Sequence, residues 1–339
     1  EGTFTSDGDV RMRYDYMSNY LDGDDDGGDT YDIWPYRARL GVMGNFSDRV
    51  WGRAELQAAG WFGDSTFSST YPYPGFNPGN QDTGQIDLYQ AFVTVQGGTW
   101  DLTAGRKEHV IGNELQLGDN DFYNGLVFDG LTAEGDYSNW DLAVFWHELK
   151  ETGALREDIW LAGIDADIDA GGGLRPYILY AKSFESMDQF NLWTFGIGWD
   201  RPVNEEVKGW DLSIEIAGQT GDGYDSATGV SDGLDFGGYI FEGWFGWGFG
   251  DAGRVHIGYF LASGDDNPLD DSNDAWQPLF PDPHANNRLG NLDLFAGFGN
   301  IVDPTGAGMS NVQDISLGYD WWGSDNHAMI AFHSLSRVE

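Results

Sequence analysis

Arginine is scarce in this chain and unevenly placed. There are 17 Lys and Arg against 56 Asp and Glu, a formal net charge of −39. Yet the stretch DIWPYRARLGVMGNFSDRVWGRAELQAAGWF, Asp32 to Phe62, sets Arg37, Arg39 and Arg53 among apolar neighbours at odd-numbered positions. Arg11 and Arg13 in VRMRY repeat the arrangement. A guanidinium is a planar fork of donors that grips a carboxylate with two parallel hydrogen bonds. Read with a period of two, Tyr36, Ala38, Leu40 and Val42 share one face and Arg37 and Arg39 the other. Likewise Val50, Ala54 and Leu56 oppose Trp51, Arg53, Glu55 and Gln57, and Val10, Met12 and Tyr14 oppose Arg11, Arg13 and Asp15. These arginines would form one basic wall.

Carboxylates occupy the corresponding faces further along: Asp165, Asp167 and Asp169, then Asp200, Asp211 and Glu215, then Asp314 and Asp320, with Arg254 and His256 opposite Val255 and Ile257. Two outcomes are open. The basic and acidic arcs face each other across water and set up a transverse field, or each charge pairs with a strand neighbour.

Other chemistry has weaker support. Asp22, Asp24 and Asp26 in DGDDDG match the first half of a calcium loop, but position 12 is Ile33 instead of the bidentate Glu, so a solvated acidic loop is expected and calcium is the only cofactor to consider. The six histidines are scattered without metal-ligand spacing, and no G-x-S-x-G elbow is present, so no catalytic residue is expected. The charge excludes a nucleic-acid partner. With no cysteine, neither disulfides nor thiolate metal sites hold the fold.

The elements that would position these residues are strands. A chain of 339 residues with 50 Gly, 15 Trp, 16 Tyr, 21 Phe and 11 Pro is expected to be all-β. Mean hydropathy is −0.42, and no window reaches the ~18 apolar residues of a spanning helix. Alternating segments fall near 8–20, 33–45, 50–62, 85–97, 99–108, 125–136, 140–150, 157–169, 174–183, 190–201, 209–219, 236–249, 252–263, 311–321 and 325–337. In Phe190 to Asp200, Trp193, Phe195, Ile197 and Trp199 share a face opposite Leu192, Thr194, Gly196, Gly198 and Asp200. Outward aromatics, among them Trp34, Trp140, Trp193, Trp244, Tyr319 and Trp321, read as interfacial anchors. Short connections alternate with long ones at 21–32, 63–84, 109–124, 220–235 and 264–310. This rhythm predicts a transmembrane antiparallel β-barrel of about 16–18 strands, with short periplasmic turns and long acidic extracellular loops. A soluble sandwich or propeller would not need polar, glycine-rich faces on nearly every strand.

The ordered segments YRARLGVMGNFSDRVWGRAELQAAG, IDLYQAFVTVQGGTWDLTAGRKE, LVFDGLTAEGDYSNWDLAVFW and WQPLFPDPHANNRLGNLDLFAGFGN resemble the alginate export porin family of Gram-negative outer membranes. The resemblance implies a barrel of about eighteen strands whose arginine-rich lumen passes an anionic polysaccharide or smaller solutes. It puts Arg37, Arg39 and Arg106 at lumen-facing positions. It also implies about three further strands beyond the segment resembling NHAMIAFHS. The acidity departs from what a polyanion channel would need. Glu1-Gly2-Thr3 shows no signal peptide, so the sequence reads as a processed form.

The expectation is therefore a single outer-membrane barrel over residues 1–339, with loop 264–310 folded into the lumen or over the mouth. It would be a passive channel for hydrophilic, anionic solutes such as acidic sugars. Its partners would be outer-membrane lipid, lipopolysaccharide and those solutes. The alternative is a non-conducting structural or adhesive barrel whose acidic loops bind calcium or a surface partner, marked by a loop-filled lumen.

Overall fold

A computed structural model describes residues 2–17, 31–62, 86–119, 121, 125–150, 159–183, 189–201, 208–225, 230–250, 253–267, 270–282, 285, 288–289, 309–322 and 327–338. The acidic stretch carrying Asp22, Asp24 and Asp26 lies outside them.

The strands are β1 (Thr3–Met12), β2 (Asp15–Met17), β3 (Tyr31–Ile33), β4 (Pro35–Ser47), β5 (Val50–Trp61), β6 (Ile86–Gly97), β7 (Trp100–Lys107), β8 (Phe128–Tyr137), β9 (Trp140–Lys150) and β10 (Ile159–Asp169). There follow β11 (Gly173–Ser183), β12 (Phe190–Arg201), β13 (Lys208–Asp225), β14 (Val230–Phe236), β15 (Tyr239–Phe249), β16 (Arg254–Ala262), β17 (Ser272–Asn273), β18 (Val312–Trp322) and β19 (His327–Ser336). No α-helix occurs among the described residues, and no helix is long and apolar enough to cross a membrane.

Seventeen strands form one sheet, in line with the expected all-β architecture. Its wall is an antiparallel meander from β1 through β4 to β13, then β15, β16, β18 and β19. β14 extends the long hairpin of β13, and β17 adds a short parallel pairing to it. No ladder joins β19 to β1 among the described residues. The wall curls, because one loop touches both halves of it: Asp121 meets Arg37 on β4, while Asn113 meets Glu215 on β13.

Alternation fixes the two faces. Val10, Leu40, Leu56, Val93, Leu131, Ile164, Ile197, Ile216, Phe245, Ile257 and Leu317 are all exposed on the outer surface. A soluble protein rarely tolerates so large an apolar surface, which suits lipid. Aromatic rings band both ends. Trp100, Tyr137 and Trp140 pack together by the short turns, and Trp160, Tyr180 and Trp193 by the long loops.

Segment 85–97 alternates poorly for a local reason. The β5–β6 register shifts between Glu55 and Leu56, so Tyr89 is an extra residue and both Tyr89 and Gln90 turn inward.

The inner face is divided along its length. By the long loops it is apolar: Leu161, Leu179, Leu192, Ile240, Phe260 and Val312 are almost fully buried. Leu115 and Leu117 from the β7–β8 connection and Trp276 and Leu279 from the loop after β16 pack into the same core. The described part of the loop after β16 thus packs against the inner face, beside the β7–β8 connection. Toward the short turns β10 to β13, β16 and β18 present Asp165, Arg175, Asp200, Asp211, His256 and Asp320.

Candidate functional site

The basic wall is built by register. Arg11 lies directly opposite Arg37, and Asp9 opposite Arg39. On β4 and β5, Arg39 opposes Gln57 and Gly41 opposes Glu55. Two arginines side by side repel, so each must find a carboxylate. Arg37 Nη1 donates to Asp121 Oδ1 at 2.6 Å, and its Nη2 lies 3.4 Å from Asp9 Oδ2. Arg39 Nη1 donates to the same Asp121 oxygen at 3.2 Å and lies 3.6 Å from Glu108. Its Nε donates to Gln57 at 2.6 Å, and its guanidinium stacks 3.8 Å above the Tyr89 ring. Arg11 Nη1 donates to the Asp121 carbonyl at 2.5 Å. Arg53 grips Asp7 with two bonds of 2.7 and 2.8 Å and reaches Glu55 at 2.9 Å. Arg13 stands just past β1, half-buried, its backbone N–H bonded to the Pro35 carbonyl at 2.9 Å.

Asp121 is thus a carboxylate held among three guanidinium-bearing residues. Burial works to raise its pKa, but the Arg37 hydrogen bond and the charges of Arg37, Arg39 and Arg11 outweigh this and hold it below the usual range. Glu108 goes the other way. Burial pushes it up despite the Tyr89 hydrogen bond and the Arg39 charge.

Arg106 is a correction. It is paired in register with Asp129, next to exposed Ala104 and Leu131, and donates to Asp129 at 2.9 Å through Nε. That row belongs to the outer face at the strand end, so Arg106 does not join the lumen wall. The alternation from Leu102 and Ala104 already carries this assignment.

On β7 to β10 the inner face by the short turns is acidic. Asp101 opposes Glu134, Asp136 opposes Asp141, and Asp141 opposes Asp167, while Asp165 lies two residues up β10. They line a cavity of about 610 Å³. Lys107 reaches Glu134 at 3.2 Å and His109 stands 3.8 Å from Asp165. Among the described residues, no arginine and no other lysine pairs with these carboxylates.

The third charged region spans β11 to β18. Arg175 pairs with Asp200. Arg254 holds Asp211 through Nε and Nη2 at 2.8 and 2.5 Å, and Asp320 through Nη1 at 2.9 Å. Glu215 is fully buried and accepts from Tyr177 at 2.8 Å and from the Asn113 backbone at 2.5 Å. That contact requires a glycine before Asn113: Gly112 has φ +58°, and a Cβ there would sit 2.7 Å from Glu215 Oε1. Trp244, expected to face outward, faces inward. Its neighbours Phe245 and Trp247 are the exposed ones, and it packs edge-on against His256 with centroids 5.6 Å apart.

Arg288 joins the two inserted loops to the wall. Fully buried, it donates from Nε and Nη2 to Glu242 at 2.5 and 3.0 Å, from Nη1 to the Asp282 carbonyl at 2.7 Å, and to the Asn113 carbonyl. Removing one partner of such a pair costs about 3–5 kcal/mol, because the other charge stays buried. Nearby, Glu114, Asp119 and Asp282 bring carboxylate oxygens within 4.8 Å of one another. Burial, then Asp119 and Asp282, push Glu114 up to about 7.

Sequence reasoning missed Asp121, Glu108, Tyr89 and Arg288. The signal available was the set of inward-parity apolar residues, such as Leu161, Leu179 and Leu192. In an open aqueous pore these have no reason to be apolar, so inserted loops must cover them.

The family described as alginate export matches residues 4–327. Solved structures with the same fold include Acinetobacter baumannii OccAB4 at TM-score 0.56 and 12% identity, covering 98% of this chain and 81% of that one. Pseudomonas aeruginosa OccK2 (OpdF) in complex with glucuronate aligns at TM-score 0.50 and 12% identity, covering 94% and 75%. Pseudomonas aeruginosa OpdK with vanillate aligns at TM-score 0.52 and 12% identity, covering 94% and 77%. No curated protein matches. The fold is that of outer-membrane porins, and with a family match over nearly its whole length the chain belongs to the alginate export family.

Proposed function

We propose that the chain is a passive outer-membrane channel for small hydrophilic solutes bearing a carboxylate, without catalysis or cofactor. The observation that carries this reading is Asp121. A carboxylate already sits where Arg37 and Arg39 converge, in the geometry a solute carboxylate would need. A permeating acid would exchange with Asp121 one ion pair at a time, which keeps binding weak enough for release. Glucuronate bound to OccK2 (OpdF) and vanillate with OpdK, both acids, make a carboxylate-bearing solute a reasonable class. Lipid and lipopolysaccharide would cover the outer face.

Liposome flux tests the reading. Glucuronate should enter faster than an uncharged sugar of equal size, and Arg37→Gln with Arg39→Gln should abolish the difference. Equal rates in the unaltered chain would overturn it.

One observation favours the second reading. The apolar core between the inserted loops and the inner wall occupies lumen space near the long loops, as a non-conducting structural barrel would have it. A complete lack of conductance in a planar bilayer, with correct assembly, would decide for it.

A further inference from the structure

We infer that the inner wall formed by β15, β16 and β18 carries a stacking site for a planar aromatic solute. The site is built on other strands than the arginines of β1, β4 and β5. It rests on the channel reading only for the route by which solute arrives.

Two glycines shape this wall. Trp244 on β15 is paired directly with Gly258 on β16. A Cβ on Gly258 would stand 2.7 and 2.8 Å from Cζ3 and Cε3 of the indole, so the ring lies down over the space that a side chain would fill. Gly246 does the same for the neighbouring ion pair. A Cβ there would meet the Arg254 guanidinium and the Asp211 carboxylate. Indole and guanidinium therefore lie along the wall, and both line a cavity of about 630 Å³ roofed by the loop tip at Gly112 to Glu114. That volume suits a small molecule.

Which small molecule follows from what the wall leaves open. Nε, Nη1 and Nη2 of Arg254 are occupied by Asp211 and Asp320, and Asp320 Oδ2 also meets His256 Nδ1 at 2.9 Å. The Arg254 edges are thus consumed within the wall, and the Trp244 indole N–H is itself buried, so ring and guanidinium faces are what remain. Sugars and other hydroxylated solutes need free edges. Indole and guanidinium faces instead attract the faces of aromatic rings. The cavity lining carries both signs of charge: Arg175, Arg201 and Arg254 against Glu114, Asp200, Asp211 and Asp320. The ring, not the charge, is what such a site selects.

The test is equilibrium binding to the detergent-solubilised full chain, by titration calorimetry and saturation-transfer NMR. The probes are benzoate, its saturated counterpart cyclohexanecarboxylate, and glucuronate. Benzoate should bind at least fivefold more tightly than either. Trp244→Leu should erase that preference and Trp244→Phe should keep it, the latter also serving as the control for folding. Gly258→Val, which lifts the indole off the wall, should weaken benzoate as Trp244→Leu does. Equal binding of benzoate and cyclohexanecarboxylate, absence of benzoate binding, a preference for glucuronate, or a preference that survives Trp244→Leu each overturns the inference. Because binding is read without a membrane, a chain that binds benzoate but conducts nothing would sink the channel reading and leave this one standing.

Discussion

The basic wall on β1, β4 and β5 and the acidic row on β7 to β10 carry opposite charges, but they differ more in how those charges are paired. Arg11, Arg37, Arg39 and Arg53 meet Asp7, Asp9, Glu55, Glu108 and Asp121, so the basic wall is compensated where it stands. The acidic row has Lys107 and His109 for six carboxylates. A row of like charges along a lumen therefore says little about the field a permeating ion meets. The compensated wall offers short-range recognition, because an ion pair can be exchanged. The uncompensated row offers a long-range potential, strongest where low-dielectric walls confine the water.

The largest effect should come from reversing the compensated wall. Arg37→Glu with Arg39→Glu would crowd new carboxylates against Asp9, Glu108 and Asp121, and Arg37 is only 6% exposed. Stability should fall by about 3–5 kcal/mol, read as an earlier thermal transition of the folded band on gels. Adding Asp121→Arg should restore part of it. A stable double variant would mean that the pairing contributes little to holding the inserted loop.

Neutralising the acidic row should do the converse. Asp101→Asn, Asp141→Asn and Asp167→Asn together should leave stability unchanged or slightly raised, since like charges are removed, while lowering the preference for cations in a salt gradient. Unchanged ion preference would show that this row does not set the long-range potential.

Glu114 supplies a case in which like charges are buried together. With the loop docked its pKa is about 7; with the carboxyl free it would be 4.5. Below pH 4.5 both states hold the proton. Between 4.5 and 7 only the docked state does, so docking weakens as pH rises through that window and stays weaker above it. Amide-exchange protection of residues 114–119, corrected for intrinsic rates, should fall from pH 5 to pH 8. Glu114→Gln should flatten that dependence; a fall of the same size in the variant would assign it to another group.

The smallest effect belongs to Arg106. Its pair with Asp129 is more than a third exposed on the outer face, where such pairs contribute about 0–1 kcal/mol. Arg106→Ala should leave ion selectivity unchanged, and a shift like that of an Arg39 variant would return Arg106 to the lumen.

Strand positions and faces were legible in the sequence because an apolar outer face and a charged inner face alternate along each strand. Ile197 lies on the exposed apolar face and Arg39 on the inner one, so period-two alternation survives in the text. Arg106 followed the alternation, and it was the family resemblance that misplaced it. Trp244 went astray because glycines on both sides, Gly243 and Gly246, leave its parity unmarked until Phe245 and Trp247 are counted. What the sequence could not give was pairing across distance. Asp121 lies 84 residues from Arg37, and Arg288 lies 46 from Glu242. No local period connects them. The division of the inner face into apolar and charged halves was written in Leu161 against Asp165 and in Leu192 against Asp200, and it pointed to inserted loops.

The central claim is that Asp121 masks the arginines and that a solute carboxylate takes its place. Asp121→Asn keeps the size of the side chain and removes the charge, so the reversal potential of single channels under a potassium chloride gradient tests it most directly. The reversal potential should shift toward the chloride equilibrium potential relative to the unaltered chain, and the shift should be lost again when Arg37→Gln and Arg39→Gln are added. An unchanged reversal potential in a folded, conducting Asp121→Asn channel, or a shift toward potassium, would contradict it.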